Sequence, residues 1–75
     1  MLKLWKISQD VNHDWDTFDS AVVAAETEDE ARNTSPAGAD WRRAWAPPEK
    51  VTVEYIGIAA EGIKPGVIVS SFNAG

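Results

Sequence analysis

The chain contains no cysteine, which excludes disulfides, thiolate metal sites and cysteine nucleophiles together and fits a reducing compartment. It has one histidine, His13, with neither a Ser-His-Asp order nor a metal-ligand spacing around it. No P-loop, G-x-G-x-x-G motif or nucleophile elbow occurs, so enzymatic activity is the weakest functional class. No apolar run approaches the roughly 20 residues of a membrane span. Residues 1–6 lack the apolar core and small-residue cleavage site of a secretory signal. The expectation is a soluble, cytoplasmic protein. Basic residues are few, 7 against 12 acids for a net charge of −5. That balance argues against direct nucleic-acid binding, which needs cations to displace phosphate counterions. It permits either plain solubilisation or steering onto a basic partner.

At 75 residues there is one domain, and such a chain buries only about 60% of the surface that its unfolded form exposes. Eight of the 12 acids (Asp10, Asp14, Asp16, Asp19, Glu26, Glu28, Asp29 and Glu30) fall in residues 10–30, without a Lys or Arg among them. In the middle of that stretch lies Ser20-Ala21-Val22-Val23-Ala24-Ala25, apolar on both faces of an extended chain. The run predicts an internal strand over residues 17–26 and fixes where the flanking acids stand.

Residues 1–9 alternate loosely, with Lys3 and Lys6 on opposite faces, and suit an edge strand protected by charge. Residues 10–16 are rich in Asn and Asp and form a polar connection. Thr27 followed by Glu30 is a capping box, and Glu28, Asp29 and Glu30 fall in the first turn, where the helix dipole favours acids. The helix is expected over residues 28–33, with Ala31 facing inward and Ser35-Pro36 and Gly38 ending it. Trp41 and Trp45 are four apart, so one helical turn over residues 40–46 would put both rings on one face as core packing. Pro47-Pro48 would end that turn. Residues 51–57 alternate cleanly and give the surest strand, Lys64-Pro65-Gly66 reads as a turn, and residues 67–72 are the last strand. No internal repeat is present. The summed pattern is ββαββ, an α+β fold with an antiparallel sheet of about four strands and a short helix on one face.

Asp10, Asn12, Asp14 and Asp16 match the alternate-residue oxygen spacing of a calcium loop. Trp15 stands where the loop needs Gly and Ala21 where it needs a closing Glu, so an acidic turn is the better account and no metal or cofactor is expected. His13 lies beside acids, which favours its charged form; without a positioned partner it reads as a solvent-facing loop histidine rather than a general base. Arg42-Arg43 suits internal or rim pairing with Asp40 or Glu49. Four tryptophans in so short a chain supply apolar area to a small core, or anchor an interface. Trp15, between Asp14 and Asp16, is the best placed for the second role.

Trp5-Lys6-Ile7-Ser8-Gln9-Asp10, Asp16-Thr17-Phe18-Asp19-Ser20-Ala21-Val22-Val23-Ala24-Ala25, Val53-Glu54-Tyr55-Ile56-Gly57 and Ser71-Phe72-Asn73-Ala74-Gly75 together resemble a family of small phage and prophage proteins, across nearly the whole chain. In size and acidity the sequence also resembles the anti-CRISPR inhibitors of bacteriophages, several of which are acidic folds that occupy the DNA-binding surface of a CRISPR effector complex. The resemblance implies a non-enzymatic inhibitor, monomeric by preference, acting in the bacterial host cytoplasm on a basic nucleic-acid-binding protein such as a CRISPR effector subunit. By DNA mimicry or steric block it would present Asp14, Asp16, Asp19, Glu28, Asp29 and Glu30 as charged contacts and Trp15 as an apolar anchor. The alternative is a small homo-oligomeric interaction or ligand-binding adaptor of phage origin, using the Trp41 and Trp45 region.

Overall fold

The computed structural model describes residues 1–12, 16–38 and 44–73. Its elements in chain order are β1 (Lys3–Ser8), β2 (Thr17–Ala25), α1 (Glu28–Arg32), a 3₁₀ turn (Pro48–Lys50), β3 (Thr52–Ile58) and β4 (Gly66–Asn73). The fold is α+β, with a four-stranded antiparallel sheet and one short α-helix among the described residues. The spatial order is β3-β1-β2-β4.

β1 and β2 form the centre, paired from Lys3 opposite Ala25 to Ser8 opposite Ser20. Alternation along the strands puts Trp5, Ile7, Ala21, Val23 and Ala25 on one face, where they form the core with Ala31, Trp45, Ala46 and Val51. α1 contributes a single buried residue, Ala31. Its small side chain lets so short a helix lie close to the sheet. Thr27 caps it, with Thr27 Oγ1 accepting from the Glu30 backbone N–H at 3.2 Å and donating to Glu30 Oε1 at 3.3 Å. Arg32 locks the far end, donating to Val51 O at 2.6 Å and to Glu28 Oε2 at 2.9 Å. The Trp5 indole N–H donates to Ala25 O at 3.0 Å inside the core, so the ring buries its area without an orphaned donor.

The opposite face carries Leu4, Lys6 and Ser8 of β1, Ser20 and Val22 of β2, and Val69 and Ser71 of β4, and among the described residues no helix covers it. This face explains one departure from the sequence-based expectation. β1 is an internal strand, not an edge. Lys6 does not prevent internal pairing because its side chain points to the uncovered face, while Lys3 lies at the strand end with Nζ 3.4 Å from Glu26 O.

Other boundaries also move. β3 and β4 each run a residue or so beyond the alternating segments. They are not neighbours, and residues 59–65 pass across the ends of β1 and β2 to join the two edges. The tight turn in that connection is at residues 60–63, where Ile63 N–H donates to Ala60 O at 3.2 Å and Gly62 takes φ 94°. It is not at Lys64-Pro65-Gly66, because Gly66 already pairs with Ala24 as the first residue of β4. The expected helical turn over residues 40–46 falls largely outside the described residues. Within it, Trp45 is buried as expected.

Candidate interaction surface

The 10–16 connection is held at its base by Gln9. The Gln9 amide oxygen accepts from the backbone N–H groups of Val11 at 2.7 Å and Asn12 at 2.8 Å, and its nitrogen donates to Asn12 O and Phe18 O, both at 2.8 Å. All four hydrogen-bonding positions of one amide are used, which closes the loop like a clasp. Asn12 Nδ2 donates in turn to the backbone carbonyl of Trp45, tying the loop to the core. The importance of Gln9 escapes a reading of the sequence, because a lone glutamine after a strand is unremarkable until its reach to residue 18 is known.

Asp16 ends this loop in the left-handed region, at φ 64°, immediately before the buried Thr17. Asp and Asn tolerate that backbone conformation far better than other non-glycine residues. Asp16 therefore has a local structural reason that its sequence position alone did not reveal. Asp16→Ala is expected to lower stability by about 1 kcal/mol, and Asp16→Asn to leave it nearly unchanged. Urea denaturation of the two variants checks this, and equal midpoints would remove the backbone role. Asp19 lies on β2 where the pairing with β4 shifts register between Phe18 and Ser20. Both carboxylates are exposed.

Glu28, Asp29 and Glu30 occupy the first turn of α1 and are exposed, as is Glu26 just before them. They follow the end of β2 that lies away from Asp16 and Asp19. Six residues of strand, Ser20 to Ala25, separate Asp19 from Glu26, about 23 Å from Cα to Cα at the rise of an extended chain. The described acids of residues 10–30 thus form two groups, one toward each end of β2, and not one cluster. Asp14 and Trp15, with His13, Trp41, Arg42 and Arg43, lie outside the described residues.

Little positive charge balances these groups. Among the described residues the ion pairs are Arg32 to Glu28 at 2.9 Å and the Met1 amine to Glu26 at 3.9 Å. Asp16, Asp19, Asp29 and Glu30 have no cationic partner among them. Every described carboxylate is exposed, so none of them is set in a buried pair of the kind that acid–base chemistry uses. Among the described residues no three metal-ligating side chains converge, and no helix is long and apolar enough to cross a membrane. A concavity of about 180 Å³ lies between the end of α1 and the segment around Trp45, bounded by Arg32, Thr34, Ala46 and Pro48. The Trp45 ring at its floor is 2% exposed and belongs to the core, which removes it as an anchor for an oligomeric contact. No protein-family model, curated protein or solved structure matches this chain.

Proposed function

We propose that this protein is a non-enzymatic inhibitor that docks on a basic nucleic-acid-binding protein and blocks its groove, as a phage anti-CRISPR does in the cytoplasm of a bacterial host. The observation that carries the reading is the pair of exposed, largely uncompensated acidic groups held at the two ends of β2. One end is held by the Gln9 clasp and the other by the Thr27 cap. Carboxylates fixed on a rigid frame keep their spacing on binding and lose little conformational entropy. Two negative groups about 23 Å apart at their nearest along one strand suit a groove that holds an extended polyanion. A kinship with small phage proteins, proposed from the sequence alone, would place a CRISPR effector subunit among such partners. Asp14, Asp16, Asp19, Glu28, Asp29 and Glu30 supply the charge in this mechanism, with Trp15 as the apolar contact between Asp14 and Asp16.

The test is capture of partners from a bacterial lysate on the immobilised protein, with elution by a salt gradient. The expected outcome is release of a nucleic-acid-binding protein as salt rises, because exposed charge contacts are screened within about 10 Å at 0.1 M ionic strength. A partner that elutes independently of salt, or one that is itself acidic, would overturn the reading.

A further inference from the structure

Gln9 follows directly on β1, and the residues after it have little other hold on the sheet. Among the described residues, residues 10–12 make no backbone–backbone hydrogen bond. Val11 and Asn12 give their N–H groups to the Gln9 side chain instead, and Asn12 O and Phe18 O accept from it. Apolar burial adds almost nothing there, since Asp10 is exposed and Val11 is 48% exposed. The further tie is a side-chain one, from Asn12 Nδ2 to the Trp45 carbonyl. The neighbouring strands are held quite differently. β1 and β2 are laddered from Lys3 opposite Ala25 to Ser8 opposite Ser20 and carry Trp5, Ile7, Ala21 and Val23 of the core. A segment with few backbone bonds and little buried apolar surface opens at a lower free energy than the strands beside it.

We propose that Gln9 is a latch, a positioning residue that closes residues 10–12 onto the sheet and releases them as a local unit while the four strands stay paired. Its four partners are all backbone groups, of residues 11, 12 and 18, so the amide grips the path of the chain at both ends of the connection. A side-chain amide accepts twice and donates twice, whereas a carboxylate accepts but cannot donate. Rotation of this one side chain breaks all four bonds together, which gives the connection two states and not a gradual loosening. The Gln9 backbone stays in place meanwhile, because its own N–H donates to Asp19 O at 3.3 Å. Opening therefore requires no separation of strands. The consequence for binding rests on the inhibitory reading above. The connection leads to Asp16, whose distance from Asp19 is fixed only while the latch is closed, so the apparent affinity scales with the closed fraction.

Amide hydrogen exchange of the full chain, followed by nuclear magnetic resonance at rising urea below the unfolding transition, is the experiment. The Val11 and Asn12 amides should be protected, with exchange that hardly responds to urea, because a local opening exposes little surface. The ladder amides of β1 and β2 should accelerate steeply over the same range. Gln9→Ala is expected to speed exchange at Val11 and Asn12 by at least about 30-fold, the effect of losing roughly 2 kcal/mol of hydrogen bonds. The ladder amides of that variant should keep their urea dependence. Val11 and Asn12 amides that follow urea in step with the ladder would show that the connection opens only with the sheet, and would overturn the latch. So would an absence of protection at both amides, or unchanged exchange there in folded Gln9→Ala. The wild-type measurement decides without any substitution if the variant folds poorly. No partner is needed, so failure of the latch and failure of the inhibitory reading are separate results.

Discussion

Trp45→Ala is expected to remove a large part of the protein's stability. Among the described residues, Trp45, Ile7 and Val23 are the largest fully buried side chains. Trp45 comes from the segment between α1 and β3 and closes the helix side of a core otherwise made mainly of alanine and valine. Truncating a buried Trp to Ala costs about 3–5 kcal/mol. A domain of this size has a total stability of roughly 4–11 kcal/mol at typical per-residue values, so the loss takes much of what there is. The backbone carbonyl of Trp45 also accepts the Asn12 side chain, so unravelling around residue 45 releases the acidic loop as well. Thermal unfolding followed by far-ultraviolet circular dichroism is the measurement. At about 4–8 °C per kcal/mol for small domains, the midpoint should fall by at least about 12 °C. A variant within a few degrees of the wild type would show that the core does not depend on this ring. Trp45→Phe, which keeps most of the apolar volume, should fall in between.

The second large effect concerns binding. Replacing Asp14 by Lys, Asp16 by Asn and Asp19 by Lys should weaken partner binding by at least about 30-fold, the effect of losing roughly 2 kcal/mol of charge contacts. Asn at position 16 removes the charge yet keeps the left-handed backbone at φ 64°, whereas Lys there would add strain and confound the result. Asp19 is exposed, so its reversal touches no core contact. The thermal midpoint should therefore stay within a few degrees of the wild type. A parallel variant, Glu28→Gln with Asp29→Lys, probes the other end of β2. Glu30 is left alone there because its backbone N–H and its carboxylate both bond Thr27. If a single groove spans both ends, each variant weakens binding and steepens the loss of the other. Full inhibition by the folded 14/16/19 variant would eliminate that end of the surface from the contact. Full inhibition by both variants would end the proposal.

The two acidic groups differ in how far local rules explain them. Glu28, Asp29 and Glu30 were accounted for in advance by the cap and the helix dipole, and the Thr27 to Glu30 bonds bear this out. Asp16 looked free of structural cause, yet its backbone conformation supplies one. Among the described acids proposed as contacts, Asp19 is the one whose position no cap, turn or ion pair explains.

From the sequence alone one could determine the element types, the internal place of β2, the helix start at Thr27, the inward Ala31 and the α+β class. Each depends on neighbours within a few residues, through periodicity, capping or turn chemistry. The order β3-β1-β2-β4, the internal position of β1 and the Gln9 clasp were decided only by the tertiary structure. They depend on which distant segments meet, and β1 shows why local pattern is silent there. A lysine such as Lys6 marks an edge only if both faces are covered, and whether the second face stays open is a property of the assembled sheet. The acidic stretch followed the same division. Its composition was plain in the chain, but its separation into two groups was set by the length of β2 running between them.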